Sequence, residues 1–138
     1  MQFAMRALAV TVVLVAMFGC NADLSQRLPQ PVLLNAEDYR QEITDIDRLL
    51  FSPKPYDDAR RVQLADKLEG LASRVTGGSD APFLKMEATE IRTLAVLAKN
   101  TRDSIPRDHL EENWMRIRNN LFEDRSWMAR SAADLKSE

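Results

Sequence analysis

After residue 34, apolar residues recur at spacings of three and four, the period of an amphipathic α-helix, in four successive segments. The first predicted helix starts at Asn35, a good N-cap with Asp38 at the third helical position. It aligns Tyr39, Ile43, Ile46 and Leu50 on one face. Ser52-Pro53-Lys54-Pro55 ends it, because proline lacks an amide hydrogen and clashes with the preceding turn. Asp57 or Asp58 caps a second helix with a stripe of Leu64, Leu68, Leu71 and Val75, with Ala65 and Ala72 beside it, and Gly77-Gly78 terminates it. Ser79 or Asp80 opens a third, with Pro82 in its first turn and Leu84, Ala88, Ile91, Ala95 and Ala98 along its face, flanked by Leu94 and Leu97. Ile105-Pro106 closes it.

The fourth segment begins with a capping box of Asp108 and Glu111, followed by Leu110, Trp114, Ile117 and Leu121 and then Met128, Ala132 and Leu135. Glu123-Asp124-Arg125-Ser126 interrupts this stripe, so the helix kinks there, breaks, or exposes its last turns. A continuous helix from Asp108 to Lys136 would be about 44 Å long against about 24 Å for the first, so its end must overhang the bundle or bend back over it. No segment alternates apolar and polar residues as a strand does. Four amphipathic segments joined by short Pro/Gly loops predict an all-α fold, an up-and-down antiparallel bundle of about four helices over residues 35–138.

The N-terminus has a different pattern. Arg6 is the only charge before Asp23 and precedes an apolar run from Ala7 to Phe18 in which Thr11 is the one polar residue, the charged and apolar regions of a secretory signal over residues 1–19. A membrane-spanning helix needs about 20 predominantly apolar residues, and this run is too short. Met17-Phe18-Gly19-Cys20 resembles the lipobox of bacterial lipoproteins, in which a small residue precedes an invariant cysteine. The resemblance covers the first twenty residues only. It implies that Cys20 becomes the first residue after cleavage and carries palmitate-type acyl chains on its sulfur. Two chains suffice for stable anchoring, at about 0.8 kcal/mol per buried CH₂. Asn21, rather than Asp, after the cysteine implies sorting to the periplasmic face of the outer membrane. The alternative is ordinary cleavage after Ala22, which would release a soluble periplasmic protein. Cys20 is the only cysteine, whereas an exported domain normally keeps cysteines in pairs or has none.

Residues 20–34 read as the lipidated cysteine and a tether in which Pro29 and Pro31 favour extended backbone. Leu28, Val32, Leu33 and Leu34 are apolar for a free linker, so its last part is expected to fold back onto the domain.

Composition narrows the chemistry. The 138 residues allow one small domain, and 19 Lys+Arg against 21 Asp+Glu offer no bulk charge for a nucleic acid. His109 is the only histidine, which removes Ser-His-Asp and Cys-His arrangements and any His-rich zinc site. Glu-x-x-His pairs for a di-iron site and Cys-x-x-Cys-His for c-type haem are absent. The carboxylate pairs Glu87 with Glu90, Asp66 with Glu69, and Glu111 with Glu112 read as solvated charge facing Lys or Arg one turn away, not as an acid–base pair. No catalytic residue, metal or cofactor is expected.

Trp114 to Trp127 is the richest cluster in arginine and aromatic residues, the types concentrated at binding hot spots. Trp114, Ile117 and Leu121 read as core, with Arg116, Arg118 and Arg125 pairing with Glu112, Glu123 or Asp124. Phe122 and Trp127 lie off that stripe, so Phe122, Arg125 and Trp127 form the expected partner-binding face. The expected function is a lipid-anchored, non-enzymatic interaction module of the cell envelope with a protein partner. The alternatives are a small-molecule or haem-binding bundle, with His109 and Met86, Met115 or Met128 as ligands, and a soluble periplasmic chaperone-like protein.

Overall fold

The computed structural model describes residues 29–100, 107–123 and 125–137. These contain a 3₁₀ turn, Ala36–Tyr39, and five α-helices: α1 Arg40–Phe51, α2 Asp58–Thr76, α3 Pro82–Asn100, α4 Arg107–Leu121 and α5 Arg125–Ser137. The all-α bundle is confirmed. α1 packs on α2, α2 on α3 and α3 on α4, α4 returns to α1 to close the ring, and α5 lies against the flank of α1. Among the described residues no helix is long and apolar enough to cross a membrane.

The local signals act largely as expected. The Asn35 side chain accepts the Glu37 amide at 3.1 Å, and Asp57 accepts that of Arg60 at 2.8 Å. Asn35 caps the tightly wound turn rather than α1 itself, a common way for a helix to begin. Gly78, at φ 84°, takes the left-handed turn after α2 that a residue with a Cβ would resist. Asp108 is a correction. It lies inside the first turn of α4, because Arg107 is itself helical and pairs with Glu111 at 3.1 Å, so Glu111 turns to this arginine instead of closing a capping box.

The predicted stripes form the core. Ile43, Ile46, Leu50, Leu64, Leu68, Leu71, Ile91, Leu110, Trp114, Ile117 and Leu121 are all fully buried. Ala65 and Ala72 of α2 are buried, as are Ala88 and Ala95 of α3, and small side chains let these two backbones approach closely.

The fourth predicted helix is two helices. Continuing α4 would require the Glu123 amide to bond the Asn119 carbonyl, but it donates instead to the Leu34 carbonyl at 2.8 Å. The Leu34 amide in turn donates to the Leu121 carbonyl at 2.8 Å, and Leu34 and Phe122 make an isolated parallel bridge. The end of the expected tether thus stops α4. Beyond the break α5 bends back onto α1, burying Met128 and Ala132 and half-burying Leu135, so the overhang does not occur.

Candidate functional site

Of the residues predicted to bind lipid or a partner, Cys20 lies outside the described residues, as does the side chain of Arg125. Phe122 is removed from any recognition face: it is 0% exposed, with its ring 5.4 Å from that of Tyr39. It is off the α4 stripe because the chain has left the helix there, and the bridge to Leu34 turns it inward. Trp127 remains at the surface, half-buried on α5.

Trp127 stands at one end of a groove of about 410 Å³ between α1 and α5. Arg40, Thr44 and Arg48, one turn apart on α1, form one wall, and Trp127, Arg130 and Asp134 of α5 stand on the other. The Arg40 guanidinium lies 4.4 Å from the centre of the Trp127 ring, a cation–π contact, and also bonds Glu37 at 2.6 and 2.5 Å. Arg48 is 64% exposed and only 3.9 Å from Asp45, whose oxygens already take Lys67 at 2.7 Å and Gln41 at 2.9 Å. The Trp127 indole N–H is buried and has no hydrogen-bond partner among the described residues. Among the described residues that line this groove, cationic side chains outnumber carboxylates.

A wider hollow of about 700 Å³ lies between α4 and α5, floored by Phe51, Met115 and Ala132 and edged by Asp108, Glu111 and Glu112. The chain partly fills it. Lys136 holds its ammonium 5.2 Å from the Phe51 ring centre and 3.5 Å from Glu111, which also pairs with Arg107.

The polar interior departs most from expectation. Arg118 reaches across the bundle to Asp47, with Nη1 2.6 Å from Oδ2 and side-chain exposures of 1% and 0%. The Trp114 indole N–H donates to the other Asp47 oxygen at 2.7 Å. Burial raises the Asp47 carboxyl from its ordinary value and lowers the Arg118 guanidinium, and their contact opposes both shifts. Other expected intrahelical pairs also run between helices: Arg116 bonds Glu90 at 2.8 Å, and Glu69 lies 3.8 Å from Arg92.

Glu87, read as solvated, is 2% exposed, and its Oε2 has no hydrogen-bond partner among the described residues. Burial, reinforced by nearby Glu90 and opposed by Arg116, pushes its carboxyl above the usual range. Its position was legible: Glu87 stands three residues after Leu84 and four before Ile91, on their face of α3.

At the far end of α1, Arg60 donates to the carbonyls of Leu49 at 2.6 Å and Ser52 at 2.9 Å and to those of Lys54, Pro55 and Arg48. Arg107 bonds the Leu50 and Ser52 carbonyls. Two guanidiniums therefore satisfy the Arg48, Leu49 and Leu50 carbonyls at the end of α1. Tyr56 lies among Arg60, Arg61 and Arg107, with its hydroxyl buried and burial raising it from its ordinary value. Because Arg60 is committed to backbone, this cluster reads as architecture.

His109 is exposed on α4, Met86 is exposed on α3, and Met128 is buried beneath α5. Among the described residues no group of three or more His, Cys, Asp or Glu is placed to hold a metal. No family model, curated protein or solved structure matches the chain.

Proposed function

We propose that this protein is a lipid-anchored, non-enzymatic interaction module of the bacterial cell envelope. In this reading acylated Cys20 holds it on the membrane, and the α1–α5 groove around Trp127 docks a protein partner. The observation that carries the docking role is the groove itself, an open channel that joins arginines to a half-buried tryptophan on two packed helices. Arginine and tryptophan dominate binding energy at interfaces because a broad planar group combines a large contact area with directional hydrogen bonding. A rigid two-helix seat also limits the ordering cost of association. The anchoring role rests on the lipobox resemblance at Met17 to Cys20 and on the absence of any other cysteine.

Two measurements test the two roles separately. Cys20→Ser is expected to abolish incorporation of labelled palmitate and to move the protein from the membrane to the soluble fraction. Unchanged partitioning would end the anchor assignment. A photo-crosslinking residue at Ser131, in the groove, is expected to give one discrete adduct in intact cells, whereas the same residue at Ser73, exposed on α2, gives none. Equal labelling from both positions would end the docking assignment.

A further inference from the structure

We infer that the partner of the α1–α5 groove presents an acidic polypeptide segment. This deepens the docking reading above and rests on it. Among the described residues that line the groove, three arginines stand against one carboxylate, Asp134. Arg40 shares its charge with Glu37, but Arg48 is mostly exposed, and the carboxylate paired with it among the described residues, Asp45, is already bonded at shorter range by Lys67. Guanidiniums present paired donors that match a carboxylate.

The spacing selects the class of anion. Arg40 and Arg48 are two turns apart on one helix face, about 12 Å along the axis at 1.5 Å per residue. A compact anion is much smaller than that separation. A segment with carboxylates repeated along its length engages both together, with Arg130 on the opposite wall. The Trp127 ring offers an apolar surface at one end, and its indole N–H has no acceptor within the described residues. Docking that shifts Trp127 provides that acceptor.

The test uses the full chain in nanodiscs of zwitterionic lipid, labelled with ¹⁵N at tryptophan, with poly-L-glutamate as the probe. Trp114 and Trp127 give two indole signals. The Trp127 signal is expected to move on titration while that of Trp114, bonded to Asp47 in the core, stays in place. The double variant Arg48→Gln/Arg130→Gln is expected to weaken the apparent affinity at least tenfold, and Arg92→Gln on the α2–α3 face to leave it unchanged. The inference is overturned if Trp127 does not respond, if Arg92→Gln weakens binding as much as the groove variant, or if Trp127 responds to nanodiscs of anionic phosphatidylglycerol and not to polyglutamate. If Ser131 crosslinks a partner while polyglutamate leaves Trp127 unmoved, the acidic-segment inference fails and the docking reading stands. If polyglutamate engages the groove but Ser131 and Ser73 label alike, the docking reading fails while the groove's preference for acidic chains holds.

Discussion

Asp47 and Arg118 form an ion pair at 2.6 Å inside the bundle, linking α1 to α4 across 71 residues of sequence. Trp114 completes it by donating to the second carboxylate oxygen. The pair fixes which faces of α1 and α4 meet, because a rotation of either helix would bury one of these charges alone.

Arg118→Met is expected to cost about 3–5 kcal/mol, since it leaves the Asp47 charge buried without its partner. Asp47→Asn added to that variant removes the stranded charge and keeps an oxygen for the Trp114 N–H, so it should recover more than half of the loss. Urea denaturation with an unchanged m-value reads both changes.

Glu87 makes the stability pH-dependent in a stated direction. Its folded-state value lies above its unfolded value, so its contribution is fully present below the ordinary carboxylate value. That contribution is lost as pH rises through the raised folded-state value. Glu87→Gln is therefore expected to stabilise the protein by about 1–2 kcal/mol at neutral pH and to change it little under acid conditions. Thermal melts of parent and variant across pH decide this, and a gain that is the same at every pH would refute it.

Leu34→Pro removes the amide that bonds the Leu121 carbonyl. The bridge to α4 should open at a cost of about 1–3 kcal/mol. Hydrogen exchange of the Glu123 amide, which the Leu34 carbonyl accepts in the parent, is the direct readout and is expected to accelerate sharply.

Arg60→Lys is expected to destabilise by about 2–3 kcal/mol despite retaining the charge, because three ammonium donors cannot replace a planar fork spread over five backbone carbonyls. Chemical denaturation measures it, and a loss below about 0.5 kcal/mol would show that the α1 carbonyls are satisfied without Arg60.

The three aromatic residues of the cluster should separate by burial. Trp114→Ala and Phe122→Ala each leave a core cavity and should cost about 3–5 kcal/mol, whereas Trp127→Ala, from a half-buried site, should cost clearly less. Equal destabilisation by Trp127→Ala and Trp114→Ala would place Trp127 in the core and withdraw it from the groove.

The buried polar pair left a trace in the sequence. Ile43, Ile46, Asp47 and Leu50 have the same spacing as Trp114, Ile117, Arg118 and Leu121, so Asp47 and Arg118 hold equivalent core positions with opposite charge. A pattern of single-helix stripes does not pair them, because intrahelical partners one turn away are as available to a long side chain as those on a neighbouring helix. The same ambiguity hid the contact between Arg116 and Glu90.

Periodicity, prolines, glycines and the caps at Asn35 and Asp57 by themselves determined the all-α class, the helical segments and nearly all of the core, because each depends on residues within a few turns of one another. The tertiary structure alone decided where α4 ends and what Phe122 and Trp127 become. The competitor for the Glu123 amide is the Leu34 carbonyl, far away in sequence, and a hydrogen bond supplied by another part of the chain outweighs one more turn of helix. Once that bond is made α5 must turn back onto α1. The fold then buries Phe122, leaves Trp127 at the surface beside Arg40, and creates a groove that no single segment of the sequence contains.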